Sequence, residues 1–155
     1  MGIRTVTTNT DIAACYPVMR ELRPQVPESE FVSRVRSQER SGYRLAVVDD
    51  GDGIVGVAGF RIVENLAWGR FLYVDDLVVV DHQRSKGCGA RLLAWLRERA
   101  LAEGCQQLHL DSGVQREDAH RFYEREGMAK AGFHFAEALT PDNPVPPVSQ
   151  GKEIR

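Results

Sequence analysis

The sequence lacks the features that mark disulfide-rich, zinc-binding or membrane-spanning proteins. It has three cysteines, with no C-x-x-C pair and no clustered histidines, so we expect neither a disulfide framework nor a metal site. No stretch approaches the run of about 18 apolar residues that a membrane span requires. The first residues show no apolar signal core. We therefore expect a protein of the reducing cytoplasm that does not bind a membrane.

The chain also lacks an excess of charge of either sign. Its 20 Lys and Arg residues against 22 Asp and Glu residues give a formal net charge of −2, so no overall positive field is available to attract nucleic acid. The 155 residues, 43% of them hydrophobic, are enough for one globular domain with its own core. An anionic ligand would have to be bound locally.

Periodicity predicts an α/β chain. A strand in IRTVT precedes a helical run that Asp11 can cap and Pro17 can shorten or kink, and Glu28–Ser41 forms a second short helix. Two strands flank Asp-Asp-Gly-Asp-Gly, a strong hairpin signal. The remaining elements are a strand at Phe71–Val80, a helix at Gly87–Glu103, a strand at Gln107–Ser112, a short helix in REDAHRFYERE and a strand in MAKAGFHFAEAL. The predicted order is β-α-α-β-β-β-α-β-α-β.

The segment from Thr140 onward differs in composition from the rest of the chain. It contains four of the seven prolines and shows no periodicity, so it cannot maintain a strand ladder. We expect residues 1–139 to form the domain and residues 140–155 an extended or disordered tail. The alternative is that this tail lies across a partner subunit.

The stretch RSKGCGA, Arg84 to Ala90, joins a predicted strand to a predicted helix. Gly87 and Gly89 carry no Cβ, so the backbone can approach a ligand closely and its N–H groups can point one way. The helix N-terminus and the side chains of Arg84 and Lys86 add positive charge, which suits a pyrophosphate. The stretch has neither the third glycine of a dinucleotide fingerprint nor the Gly-Lys-Ser/Thr of a phosphate loop. It predicts either a nucleotide-bearing cofactor or merely a tight turn.

This stretch resembles the pattern Gln/Arg-x-x-Gly-x-Gly/Ala that follows a long strand in the GNAT family of N-acetyltransferases. The second motif of that family, Asn-x-x-Ala-x-x-Phe/Leu-Tyr-x-x-x-Gly-Phe/Met, is similar to REDAHRFYEREGM, Arg116 to Met128. Arg116 stands where the family has asparagine, so the contacts of that asparagine are not transferred. The two motifs occur in the family's order with one strand between them, and the resemblance covers about residues 3 to 139.

The resemblance implies the GNAT fold, in which helices flank a central mixed, mostly antiparallel sheet that splays between two neighbouring strands. Acetyl-CoA would lie at the splay, between Phe71–Val80 and Gln107–Ser112. The backbone of Leu77, Val78 and Val79 would bind the pantetheine arm as an added strand does. The amides of the glycine-rich turn would hold the pyrophosphate, namely those of Arg84, Ser85, Lys86, Gly87, Cys88, Gly89 and Ala90.

The same resemblance assigns the chemical roles. Tyr123 matches the tyrosine whose hydroxyl faces the CoA sulfur and acts as general acid; alternatively it is an ordinary packing aromatic. The stretch YVDDLVV is similar to the acidic pair of amine acetyltransferases, which makes Asp75 the base, through water, and Asp76 a substrate contact or a paired structural group. Adjacent strand residues face opposite sides. The alternative is that arginines or backbone donors partner both carboxylates.

The activity implied is direct attack of a primary amine on the thioester in a ternary complex. A small amine is the leading acceptor, attracted by Asp75, Asp76, Glu28, Glu30 and Glu64, and a peptide amine is the alternative. Two rival functions are a non-catalytic acyl-CoA sensor on the same fold and a nucleotide-binding regulator. A homodimer is expected because symmetric pairs dominate soluble oligomers.

Overall fold

The computed structural model describes residues 1–84 and 86–145, and the chain divides into two compact units, residues 1–110 and residues from Asp111 onward. Residues 146–155 of the predicted tail lie outside the described residues, as does Ser85. Residues 140–145 are exposed and belong to no helix or strand. In the described part of the chain, no helix is long and apolar enough to cross a membrane.

The first unit is built on one five-stranded sheet, with the strands in chain order across it. Neighbouring strands are antiparallel except for the parallel last pair, so the predicted mixed, mostly antiparallel sheet is confirmed. The Asp-Asp-Gly-Asp-Gly turn joins the second and third strands as the predicted hairpin. The strands are β1 (Gly2–Val6), β2 (Arg44–Asp49), β3 (Ile54–Asn65), β4 (Gly69–Val79) and β5 (Gln107–Leu110).

Helices precede β2 and connect β4 to β5. They are α1 (Asn9–Ala14), α2 (Tyr16–Leu22), α3 (Glu28–Glu39) and α4 (Cys88–Ala102). The predicted shortening at Pro17 appears as a break between α1 and α2 at Cys15, since proline fits the first turn of a helix but not its interior. The prediction that Asp11 caps the first helix was wrong. Thr8 is the cap, and its hydroxyl accepts from the Asp11 amide at 3.1 Å.

The sheet buries side chains on both of its faces, because successive strand residues point to opposite sides. Leu45 and Val47 of β2 join the buried cluster formed with α1, α2 and α3. The next residue, Val48, faces the other side and packs near Leu92 of α4 around Gly56, where an added Cβ would lie 3.1 Å from Leu92 Cδ1. The apolar side that periodicity predicts for α4 is confirmed in part. Leu92, Leu93 and Leu96 are fully buried and Trp95 is half-buried, but Leu101, which was predicted to belong to it, is 74% exposed.

The register of β4 changes in the middle of the strand. Gly59 of β3 lies opposite Asp76 and Phe60 lies opposite Val74, so Asp75 is the extra residue of a β-bulge. The ladder between β4 and β5 covers only residues 71–74 of β4. From Asp75 to Val79, β4 therefore continues without β5 beside it, as a splayed sheet requires.

The second unit contains α5 (Glu117–Arg125), after which Gly127 adopts a φ of +97°. The strand predicted in MAKAGFHFAEAL does not form: residues 128–139 are irregular, and Phe133 and Phe135 are exposed. A strand needs a neighbour with which to pair its backbone. The described part of this unit, residues 111–145, contains no other strand.

Gly59, beside the bulge, has no room for a side chain. A Cβ at this position would lie 1.9 Å from Tyr43 Oη, and the buried Tyr43 ring would have to move. Gly59→Ala should therefore lower the free energy of unfolding by about 1–3 kcal/mol, as overpacking of a tight core does. Chemical denaturation measures this change. Gly2→Ala, where an added Cβ meets nothing within 4 Å, is the control, and equal stability of the two variants would contradict the prediction.

Candidate active site

The glycine-rich turn leaves a helix start open. A short 3₁₀ turn, Asp81–Gln83, follows β4, and α4 begins after Gly87, whose φ of +82° favours glycine. No described side chain caps this start. Because the first N–H groups of a helix have no intrahelical partner, the amides of Cys88, Gly89 and Ala90 can receive an anion. An added Cβ at Gly87 would meet nothing within 4 Å, so the approach is clear.

The two cations predicted for this turn differ in their partners. Arg84 lies with Nη1 2.6 Å from Asp81 Oδ1 and Nη2 3.7 Å from Glu21 Oε1. Lys86 has no acidic partner among residues 1–84 and 86–145. The Cys88 side chain is fully buried, so it offers a ligand only its backbone amide. Ser85, the remaining predicted contact, lies outside the described residues.

The unpaired edge of β4 presents backbone groups from two of the three predicted residues. The Val80 amide donates to Val55 O at 2.9 Å, so the backbone of Val80 faces β3. Orientation alternates along an antiparallel ladder, so Val78 also faces β3, whereas Leu77 and Val79 face the edge that β5 has left. The carbonyl of Val79 accepts there from Arg84 Nε at 3.1 Å.

Both predicted acids are paired with arginines. Asp75 accepts a two-pronged contact from Arg61, with Nε to Oδ2 at 2.8 Å and Nη2 to Oδ1 at 2.9 Å. The hydrogen bond to Asp75 raises the pKa of Arg61. Asp76 accepts from Arg23 Nε at 2.7 Å, and Arg23 Nη2 also donates to the backbone oxygen of Asp75 at 2.8 Å. The partnered arrangement, which the sequence left as the alternative, is the one observed.

Tyr43 completes the contacts of Asp76, its hydroxyl donating to Oδ2 at 2.6 Å. Burial, and then the Asp76 charge, raise the pKa of Tyr43 well above its ordinary value, so the phenol keeps its proton. Each oxygen of Asp76 thus has a short hydrogen bond. Asp76 joins the start of β2 and the end of α2 to β4.

The expectation that Asp75 and Asp76 face opposite sides was wrong. Both line one cavity of about 270 Å³, because the bulge interrupts the alternation of β4 at this point. The helix α3 and the end of α2 form the other walls. None of Glu28, Glu30 and Glu64 lines the cavity. The lining residues are Met19, Arg23, Gln25, Val26, Phe31, Arg34, Val35, Gln38, Tyr43, Asp75 and Asp76.

Sequence reasoning missed most of this lining. Arg34 and Gln38 could have been found, since they follow Phe31 at the helical spacing that puts them on the same face of α3. Arg23 and Arg61 carry no such signal. They reach the acids across 53 and 14 residues of sequence, and only the fold brings them together.

The predicted acid, Tyr123, lies on α5 in the second unit and is half-buried. Burial raises the pKa of Tyr123, and the nearby charge of Arg116 partly opposes this, so the hydroxyl is protonated at neutral pH. Arg116 occupies the N-cap position of α5 and makes no side-chain cap bond. An asparagine at this position would be a good N-cap. The arginine found here therefore leaves the start of α5 without that side-chain cap.

The described residues hold no group of three or more His, Cys, Asp or Glu side chains arranged to bind a metal ion. The groups observed are instead a helix start with free amides, an open strand edge and a cavity with two partnered carboxylates. This set fits an extended ligand with an anionic end and a polar reactant beside it.

Comparison with known proteins gives one consistent family. The model of the acetyltransferase (GNAT) family matches residues 9–128. The chain is 31% identical, over 78% of its length and 86% of the other protein, to the uncharacterised N-acetyltransferase YhdJ of Bacillus subtilis (strain 168). It is 36% identical to the aminoalkylphosphonate N-acetyltransferase of Salmonella typhimurium (strain LT2) over 63% of this chain and 62% of that one.

A solved structure has the same fold. The aminoglycoside N-acetyltransferase AAC(6')-Iy, in complex with CoA, superposes with a TM-score of 0.78 at 14% identity, covering 90% of this chain and 95% of that one. At this identity the likeness shows the fold alone. The family match and the named relatives confirm the predicted enzyme class, an acyltransferase. The chain belongs to the acetyltransferase (GNAT) family.

Proposed function

We propose that this protein transfers an acetyl group from acetyl-CoA to a primary amine by direct attack in a ternary complex. The observation that carries the proposal is the continuity of the open β4 edge, from Asp75 to Val79, with the glycine turn at Gly87. An edge that can pair with an amide-containing arm thus leads to amides that can hold phosphates. The structural neighbour in complex with CoA supports the same cosubstrate.

The cosubstrate contacts follow from the free backbone groups. Leu77 and Val79 pair with the pantetheine arm, whereas the backbone of Val78 faces β3 and its side chain is buried in the core cluster with α1, α2 and α3. Pairing at the Val79 carbonyl displaces Arg84 Nε, and the guanidinium approaches the pyrophosphate by also exchanging its contacts with Asp81 and Glu21 for the phosphate oxygens. By resemblance to the family, the phosphates are held by Arg84, Ser85, Lys86, Gly87, Cys88, Gly89 and Ala90.

Acetyl-CoA supplies an activated thioester carbonyl. The residues of this chain transfer two protons, one from the amine and one to the departing thiolate. Asp75 takes the proton of the amine through water. A carboxylate offers about four acceptor sites, so the two bonds to Arg61 leave room for a water facing the cavity. Asp76 holds Arg23 and Tyr43 in place beside it. Tyr123 donates the second proton to the departing thiolate, with no covalent enzyme intermediate and no metal.

The acceptor we propose is a small-molecule amine rather than a protein side chain. The cavity of about 270 Å³ beside Asp75 and Asp76 has the volume of a small metabolite. The relative named for an aminoalkylphosphonate supports the same class. We place the reaction in the cytoplasm, consistent with three buried free thiols at Cys15, Cys88 and Cys105, and retain the homodimer as a prediction.

Acetyl transfer is tested by calorimetric titration with acetyl-CoA, followed in the same sample by thiol release against a panel of amines, amino acids and peptides. Mass spectrometry identifies the acetylated acceptor. The proposal predicts binding, and release that depends on the amine. Binding without release to any member of the panel would favour the non-catalytic acyl-CoA sensor, and absence of binding would contradict the cosubstrate assignment.

The acid role predicts a defined loss in Tyr123→Phe. Removing a general acid should lower kcat by about 100-fold or more while acetyl-CoA affinity changes little. The acid acts in its protonated form and its pKa is raised. The alkaline decrease of wild-type kcat should therefore begin only as the pH rises past that pKa, and the variant should lack this alkaline decrease. Steady-state kinetics measure both effects. An unchanged kcat in Tyr123→Phe would remove Tyr123 from the mechanism.

A further inference from the structure

Arg34 lies at the rim of the cavity, with its side chain 49% exposed. On α3, Arg34 and Gln38 line the cavity on the same face as Phe31 and Val35, which are buried at 5% exposure each. The stem of a long charged side chain packs on apolar surface while its head stays in water. The Arg34 guanidinium is therefore placed to contact a molecule that enters the cavity.

Among the described residues, the Arg34 side chain makes no hydrogen bond and one long, exposed ion pair. Its nearest acidic atom is Glu30 Oε1, 3.8 Å from Nη1, and both side chains are about half exposed. Arg36, on the same helix, is different: its guanidinium donates to Asn9 Oδ1, Glu39 Oε1 and Thr7 O, each at 2.8 Å. The donors of Arg36 are thus used in contacts within the fold, whereas the donors of Arg34 remain available to a molecule in the cavity.

The cavity's charges do not favour a polycation. The carboxylates of Asp75 and Asp76 on β4 are already matched by Arg61 and Arg23. Arg34 on α3 then adds positive charge, and the one acidic side chain within 4.0 Å of it in the described part of the chain, Glu30, is outside the lining. A second ammonium group at the α3 side would meet a guanidinium, and like charges at short range repel.

We propose that the acceptor amine carries an acid group, a carboxylate or a phosphonate, and that Arg34 binds this group. The amine faces Asp75 and Asp76 on β4, and the acid group faces α3, where the side-chain amides of Gln25 and Gln38 are further donors. Guanidinium binds planar or tetrahedral oxyanions through paired hydrogen bonds. Arg34 is thus a specificity residue, and this inference rests on the proposed acetyl transfer.

The test compares pairs of amines that differ only in the group at the end opposite the amine. 2-Aminoethylphosphonate is measured against n-propylamine, and β-alanine against β-alaninamide, with 1,3-diaminopropane as the cationic member. We expect kcat/KM to favour the acid-bearing member of each pair, and Arg34→Gln to remove about 10- to 100-fold of that preference, the usual range for a charge-assisted pair. The rate on n-propylamine should change little, and Arg34→Lys should restore part of the preference.

Arg40→Gln is the matched control. It removes the same charge from the exposed end of this helical segment, where Arg40 contacts only Ser37 Oγ at 3.3 Å among the described residues. It should leave the preference intact. An equal effect of Arg34→Gln and Arg40→Gln would show a general charge effect and overturn the assignment. Faster transfer to neutral or cationic amines than to their acid-bearing analogues would also overturn it, and would leave the proposed acetyl transfer standing.

A binding measurement separates this inference from the reaction itself. Calorimetric titration of the protein alone with 2-aminoethylphosphonate and n-propylamine needs no acetyl-CoA. We expect the phosphonate to bind more tightly to wild type, and to lose at least about tenfold in affinity in Arg34→Gln. If this difference appears while every amine fails as an acceptor, the acid-group site stands and the proposed transfer falls. If neither amine is preferred, the acid-group site is refuted.

Discussion

The end of the β4–β5 ladder at Val74 and Leu110 is the constraint on which the rest of the structure depends. A backbone that leaves its neighbour in mid-sheet must find other partners for its N–H and C=O groups. Here Leu77 and Val79 face the gap, and only the Val79 carbonyl accepts a bond from a described side chain, that of Arg84. The open edge therefore leaves backbone groups available to a ligand.

The residues just beyond the last paired position hold β4 in this splayed course. Asp75 is the bulged residue, and it accepts two hydrogen bonds from Arg61 of β3. Asp76 accepts hydrogen bonds from Arg23 and Tyr43. Removing one member of such a partly buried set leaves a charge without its partner, which costs more than the pair contributes. The same carboxylates form one wall of the cavity, so the contacts that fix the strand also fix the polarity of the cavity.

Sequence reasoning found the elements whose signals are local. The Asp-Gly hairpin, the amphipathic α4 and the glycine turn each follow from neighbouring residues, and the two motifs together identified the family. It could not find the bulge, because one extra residue in β4 changes which side Asp75 faces without changing the composition of the strand. It allowed for arginine partners of the two carboxylates but could not identify Arg23 and Arg61, which are distant in sequence. The strand predicted around Phe133 failed because alternation alone does not supply a neighbour with which to pair.

The most direct test of the account is hydrogen–deuterium exchange of the amides with and without saturating acetyl-CoA. The open-edge account predicts that the cosubstrate slows exchange at Leu77 and Val79 and through the turn from Lys86 to Ala90, where amides gain hydrogen-bond partners. The hairpin amides at residues 50–53 should exchange at the same rate in both samples. Protection confined to other parts of the chain, or no change at saturation, would contradict the claim that the cosubstrate completes the edge β5 leaves open.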